Sequence, residues 1–191
     1  LEDAATGAAQ TTGLAEAVAG RNDAIIRAHL ANLRAHSHAD IAFVVTREGL
    51  VITETGANLP VSPGLQRALE HNPTPGILER NDEVYQGAAA TIPGGQGWIV
   101  AGAHLGSQQM DDLRSLSPIP VQASVLVRDA QGWSDETSDD VELGAIVDQS
   151  LRAENAGARE LRTRDGNEIA LATPLPSLDG AEAVLLLRHS L

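Results

Sequence analysis

Ile41-Ala42-Phe43-Val44-Val45-Thr46-Arg47-Glu48-Gly49-Leu50-Val51-Ile52-Thr53 is the stretch whose reading decides the fold. Two runs rich in β-branched residues, 41–46 and 50–55, flank Arg47-Glu48-Gly49, where a glycine can take the left-handed conformation of a tight turn. The spacing predicts a β-hairpin. An isolated hairpin is marginal in water, so partner strands and a covering layer are expected on either side.

On the C-terminal side, Ser62-Pro63 offers a helix N-cap and a proline suited to the first helical position, followed by Leu65, Ala68 and Leu69 at helical spacing. This short helix is expected to stop near Asn72-Pro73. Glu83–Ile92 and Trp98–His104 read as strands around the turn Pro93-Gly94-Gly95-Gln96-Gly97. Ser107 is expected to cap a helix carrying Met110 and Leu113, ending before Ser117-Pro118. On the N-terminal side, Leu14, Val18, Ile25, Ile26, Leu30 and Leu33 recur at helical spacing, predicting one long amphipathic helix from about Leu14 to His38. Gly20 weakens it by about 1 kcal/mol and marks where a break would fall.

The same order of elements then runs again. Val121–Val127 and a short strand at Trp133 flank the turn Asp129-Ala130-Gln131-Gly132, a helix carries Leu143, Ile146, Val147 and Leu151, and strands follow at 158–163, 168–174 and 182–188. Gly49 and Gly132, Pro93 and Pro176, and Gly97 and Gly180 are each 83 positions apart. The recurrence of order and turn residues points to a duplicated unit. Strand-strand-helix-strand-strand outlines a PAS-like antiparallel sheet. The predicted class is α+β, with a long N-terminal helix over 1–38 and two tandem modules over 39–118 and 119–191.

At 191 residues and 42% hydrophobic content, the chain is long enough to bury about 70% of its unfolded surface. It begins at Leu1 and its one methionine is Met110, so it is expected to be part of a longer protein. No run approaches the roughly 18 consecutive apolar residues of a membrane helix. Cysteine is absent, which removes thiol catalysis and thiolate metal sites. All 13 basic residues are arginine, which removes the lysine of a phosphate loop or Schiff base. A net charge of -13 and only four aromatics, Phe43, Tyr85, Trp98 and Trp133, argue against nucleic acid as a partner.

The chain resembles the double Cache sensor regions of bacterial receptors. The resemblance rests on Leu14-Ala15-Glu16-Ala17-Val18-Ala19-Gly20-Arg21-Asn22-Asp23, on Ile41 to Ile52, on Gly97-Trp98-Ile99-Val100-Ala101-Gly102-Ala103-His104-Leu105 with Leu113 after it, and on the closing Leu185 to Leu191. It implies a membrane-distal and a membrane-proximal PAS-like module in the periplasm, with membrane helices outside this segment. It further implies a role in sensing small molecules for a cyclase, diguanylate cyclase or histidine kinase output, with no catalysis in this segment. An interaction module that dimerises without a ligand is the alternative. The tyrosine- and arginine-rich signature by which some Cache domains grip amino acids is not recognisable.

Four residues are expected to bound a ligand site in the first module: Arg80, Tyr85, Trp98 and His104. Alternation puts Trp98, Val100, Gly102 and His104 on one sheet face. The small residues Gly87, Ala88, Ala89 and Ala90 leave space over the sheet, whereas the matching second-module strand carries Ile169 and Leu171 and no aromatic. An organic acid or similar small polar metabolite paired with arginine is the expected ligand. No cofactor and no bound metal are expected. His36, His38 and Asp40 are read as solvated groups at a helix C-terminus, and Asp135, Glu136, Asp139, Asp140 and Glu142 as an acidic face lacking calcium-loop spacing. Pro93–Gly97 lies between strands and is read as a turn, not a phosphate cradle. The long helix is expected to pair with its copy in a homodimer.

Overall fold

The computed structural model describes residues 1–55, 58–134, 141–152, 158–163 and 166–191. Its elements are α1 (Glu2–Ala9), α2 (Leu14–Ala19), α3 (Asp23–His36), β1 (Ile41–Thr46), β2 (Leu50–Thr53), β3 (Asn58–Pro60), α4 (Pro63–Glu70), β4 (Gly76–Arg80), β5 (Glu83–Ile92), β6 (Gly97–His104) and α5 (Ser107–Ser115). These are followed by β7 (Gln122–Arg128), β8 (Trp133–Ser134), α6 (Val141–Leu151), β9 (Arg159–Thr163), β10 (Gly166–Leu175) and β11 (Ala183–Ser190). The fold is α+β with two antiparallel sheets. One runs β3-β2-β1-β6-β5-β4 and the other β8-β7-β11-β10-β9. Counted from the first hairpin of each, both have the order 2-1-5-4-3, with β3 added at the edge of the first. β5 and β10 coincide at both ends under the 83-residue offset, 83–92 against 166–175.

Compactness divides the chain into one unit of Leu1–Arg80, Tyr85–His104 and Ser177–Gly180, and another of Asn81–Val84, Leu105–Pro176 and Ala181–Leu191. In the first unit β1 is buried on both faces, which is why its apolar run is continuous. Ala42 and Val44 join Ile52, Ile92, Ile99 and Ala101 beneath the N-terminal helices. Phe43 and Val45 join Val51, Tyr85, Trp98 and Val100 on the opposite face, covered by Leu65 and Leu69 of α4. In the second unit Leu143, Ile146 and Val147 of α6 pack on Leu126, Ala170 and Leu186 of the sheet.

The expected single helix from Leu14 to His38 is two helices. α2 ends in a Schellman turn, in which Asn22 N–H donates to Ala17 O at 2.8 Å and Arg21 N–H to Val18 O at 3.2 Å. Arg21 takes the left-handed conformation, φ 52°, that such a turn demands. Asn22 then restarts the chain by capping α3, accepting from Ile25 N–H at 3.3 Å. The apolar stripe is also spent within the unit: Leu14, Val18, Ile26, Leu30 and Leu33 all lie in the core against the sheet. Two strands were not expected. β4 follows the Pro75 break, and its hairpin to β5 turns through Asn81 and Asp82, both left-handed with φ 53° and 62°. β3 is an edge strand pairing Leu50 with Pro60.

Ser62 caps α4 as expected, accepting from Leu65 N–H at 3.3 Å, with Pro63 in the first turn. Ser107 does not cap α5: Gly106 holds the N-cap position, without a side-chain bond, and Ser107 is the first helical residue. Pro93–Gly95 forms a single 3-10 turn between β5 and β6. No helix among the described residues is long and apolar enough to cross a membrane.

Candidate functional site

The antiparallel register of β5 and β6 decides which side chains meet. Tyr85 pairs with His104, Gly87 with Gly102, Ala89 with Val100 and Thr91 with Trp98, so all eight residues share one face. This is the face turned away from the N-terminal helices. Across β6, Val45 opposes Trp98 and Phe43 opposes Val100, which brings Phe43 onto the same face.

The rings of Tyr85 and His104 lie 5.5 Å apart and tilted by 58°. Asp40 fixes the backbone beneath His104: its Oδ2 accepts from His104 N–H at 2.7 Å. Trp98 and Tyr85 are 8% and 5% exposed and belong to one apolar cluster with Phe43, Val100, Leu78 and Leu178. Arg80, the last residue of β4, is half-buried, with Cζ 4.4 Å from the centre of the Phe43 ring. Burial lowers the pKa of its guanidinium and Tyr85 opposes that shift; an arginine nevertheless stays charged at any working pH. A desolvated cation on an aromatic face is a strong point of attachment for an anion.

The space expected over the small strand is filled. A methyl at Gly87 would come within 2.8 Å of Leu178 Cδ2 and 3.0 Å of Leu78 Cβ, and one at Gly102 within 2.9 Å of Ile41 Cγ1. Leu178 is fully buried. Two hydrogen bonds hold its segment there: Leu178 N–H donates to Ile77 O at 2.8 Å, and Glu79 N–H donates to the Asp179 side-chain Oδ2 at 2.8 Å. The small residues of β5 therefore make room for Leu78 and Leu178, and any ligand on this face must share it with them. Phe43 is a neighbour of these residues that the sequence reading missed, although strand alternation and pairing with β6 place it. Leu178 lies too far along the chain for any local signal to announce it.

The other candidates are placed as follows. His36 Nδ1 lies 2.9 Å from Asn32 O, and Asp40 is engaged by His104 as above. Among the described residues no group of three His, Asp or Glu side chains is arranged to hold a metal. Asp135, Glu136, Asp139, Asp140 and the Glu142 side chain lie outside what is described.

No protein-family model and no curated protein matches the sequence. Solved structures do match. The ligand-binding domain of the Pseudomonas fluorescens chemoreceptor CtaA, in complex with L-isoleucine, superposes with a TM-score of 0.56 at 16% identity, covering 96% of this chain and 80% of that one. The ligand-binding domain of the Pseudomonas aeruginosa amino-acid chemoreceptor PctC, in complex with GABA, gives 0.54 at 14% identity over 98% of this chain and 87% of that one. That of PctB from the same organism, with L-Arg, gives 0.51 at 16% identity over 99% and 91%. The chain shares the fold of these ligand-binding domains. Within that fold, Arg80, Phe43, Tyr85, His104 and Trp98 form the aromatic, cationic face of the first sheet.

Proposed function

We propose that this chain is the extracytoplasmic small-molecule-sensing part of a membrane-bound bacterial receptor, without catalytic activity of its own, and that its ligand sits in the first of two tandem PAS-like modules against Arg80, Tyr85, Trp98 and His104. The observation that carries the sensing role is the likeness to chemoreceptor ligand-binding domains over nearly the whole chain. The compared domains hold isoleucine, GABA and arginine, each of which bears a carboxylate. Arg80 supplies the matching charge here, so an organic acid is the proposed ligand class. Membrane helices flanking this segment, a periplasmic setting and a cyclase, diguanylate cyclase or histidine kinase output belong to the same proposal. So does homodimerisation through the exposed face of α3.

Leu78 and Leu178 over Gly87 favour the second reading, an interaction module that binds no small molecule on this face. A thermal-shift screen of dicarboxylates, hydroxy acids and amino acids separates the two. A ligand at about 100 times its Kd adds roughly 2.7 kcal/mol to the folded state. The expected result is a shift with an organic acid that Arg80→Ala and Trp98→Ala each abolish. A shift that survives both substitutions removes the site, and no shift with any compound favours the interaction module.

A further inference from the structure

Three turns converge at one end of the first sheet: Gly20–Asn22 between α2 and α3, Arg47–Gly49 between β1 and β2, and the turn from Pro93 to Gln96. They enclose a cavity of about 250 Å³. Its lining includes the apolar side chains of Val18, Leu50 and Ile52. Leu50 is 38% exposed, a large aliphatic side chain facing water at a cavity wall. The lining also includes the charged residues Arg21, Arg47 and Glu48.

Two observations bear on these arginines. In a chain with 26 acidic residues, Arg27, Arg34, Arg114, Arg128, Arg152 and Arg188 each lie within ion-pair reach of a carboxylate. Arg21 and Arg47, like Arg67 and Arg80, form no ion pair among the described residues. Arg47 is tethered instead by Nη1 donating to Gly95 O at 3.0 Å. Glu48 is engaged within its own turn: its backbone N–H and the Thr46 hydroxyl hold its carboxyl below the usual range, helped less by Arg21.

The second observation is conformational. Among the described residues, the left-handed non-glycine residues are Arg21, Asn72, Asn81 and Asp82. Asn and Asp are enriched in that region and arginine is not. Arg21 stands where a Schellman turn ordinarily has glycine, so its side chain is kept against the preference of its backbone.

We propose that this cavity binds a short aliphatic carboxylate, with the carboxylate between Arg21 and Arg47 and the hydrocarbon against Val18, Leu50 and Ile52. The volume lies just under the roughly 300 to 1,000 Å³ of pockets for larger ligands, which selects a compact molecule. The site is distinct from the Arg80 face and does not depend on it.

Isovalerate is the probe, titrated by ligand-observed NMR and calorimetry beside acetate, isoamylamine and inorganic phosphate. Isovalerate is expected to bind, acetate about tenfold more weakly, and the amine and phosphate not at all. Arg21→Gly suits the left-handed backbone, so the variant folds at least as well as the parent; it is expected to lose at least about tenfold in affinity. Leu50→Ser at its exposed position is expected to weaken isovalerate and leave acetate unchanged. Arg80→Ala is expected to change neither. Absence of isovalerate binding at millimolar concentration, phosphate binding equal to isovalerate, or isovalerate affinity unchanged by Arg21→Gly overturns the proposal.

Discussion

At Gly87 the missing side chain is a packing requirement, because Leu178 Cδ2 would stand 2.8 Å from a Cβ there and Leu78 Cβ 3.0 Å. Gly87→Ala is therefore expected to cost about 1–3 kcal/mol by overpacking. Leu178→Ala, which empties a fully buried position, is expected to cost about 2–5 kcal/mol. Because the two changes act on one volume, the double variant should be more stable than the sum of the singles predicts, by about 0.5 kcal/mol or more. Urea unfolding of the four proteins measures this, and strict additivity would show that Gly87 and Leu178 do not share the space. The residue scale also shows how far the sequence reaches. Alternation assigns Trp98 and His104 to one face, and pairing of β6 with β1 and β5 adds Tyr85 and Phe43 to it. The sequence also suggests room beside Gly87, but what fills that room depends on a leucine near the other end of the chain.

Helix starts illustrate why element boundaries are legible in some places and not others. Ser62 and Ser107 look alike in sequence, each a serine at the head of an amphipathic run. Ser62 is in extended conformation and its hydroxyl accepts from Leu65 N–H, whereas Ser107 is already helical behind Gly106. Ser62→Ala is expected to cost about 1 kcal/mol and Ser62→Gly only a few tenths. Ser107→Ala should stay within about 0.5 kcal/mol of the parent. Equal losses at the two serines in denaturant unfolding would contradict the assignment of caps. The strands legible in advance were β1, β2 and β5 to β11, most of them because their own side chains alternate or run continuously apolar. β3 and β4 escaped because β3 is defined by its pairing with β2, and β4 follows directly on the Pro73-Thr74-Pro75 break, where the sequence reads as an end and not as a start. The break after α2 was legible at Gly20, but it is the unexpected conformation of Arg21 that makes it.

At the scale of the molecule, charge and surface bear on self-association. The apolar stripe of α3 is consumed by the sheet, so pairing of two chains has to use the opposite face, where Ala24, Ile25, Ala28, Ala31 and Ala35 are exposed and Ile25 is 44% accessible. Small side chains there let two helices approach closely. A helix of 14 residues is only about 21 Å long, and its face covers far less than the roughly 1,600 Å² of a standard interface, so association is expected to be weak. Each chain carries a net charge of -13, and repulsion between two such chains is screened over about 10 Å at 0.1 M salt. Dimerisation should therefore strengthen as salt is raised, the reverse of an interface held by ion pairs. Ala28→Arg supplies the control: it lowers the net negative charge and so weakens repulsion, yet places a long side chain in the centre of the contact. Sedimentation equilibrium is expected to show salt-enhanced dimers of the parent and monomers of Ala28→Arg at equal concentration. Monomers at every salt and millimolar protein would remove the dimer. Dimers that persist in Ala28→Arg would move the contact to another surface.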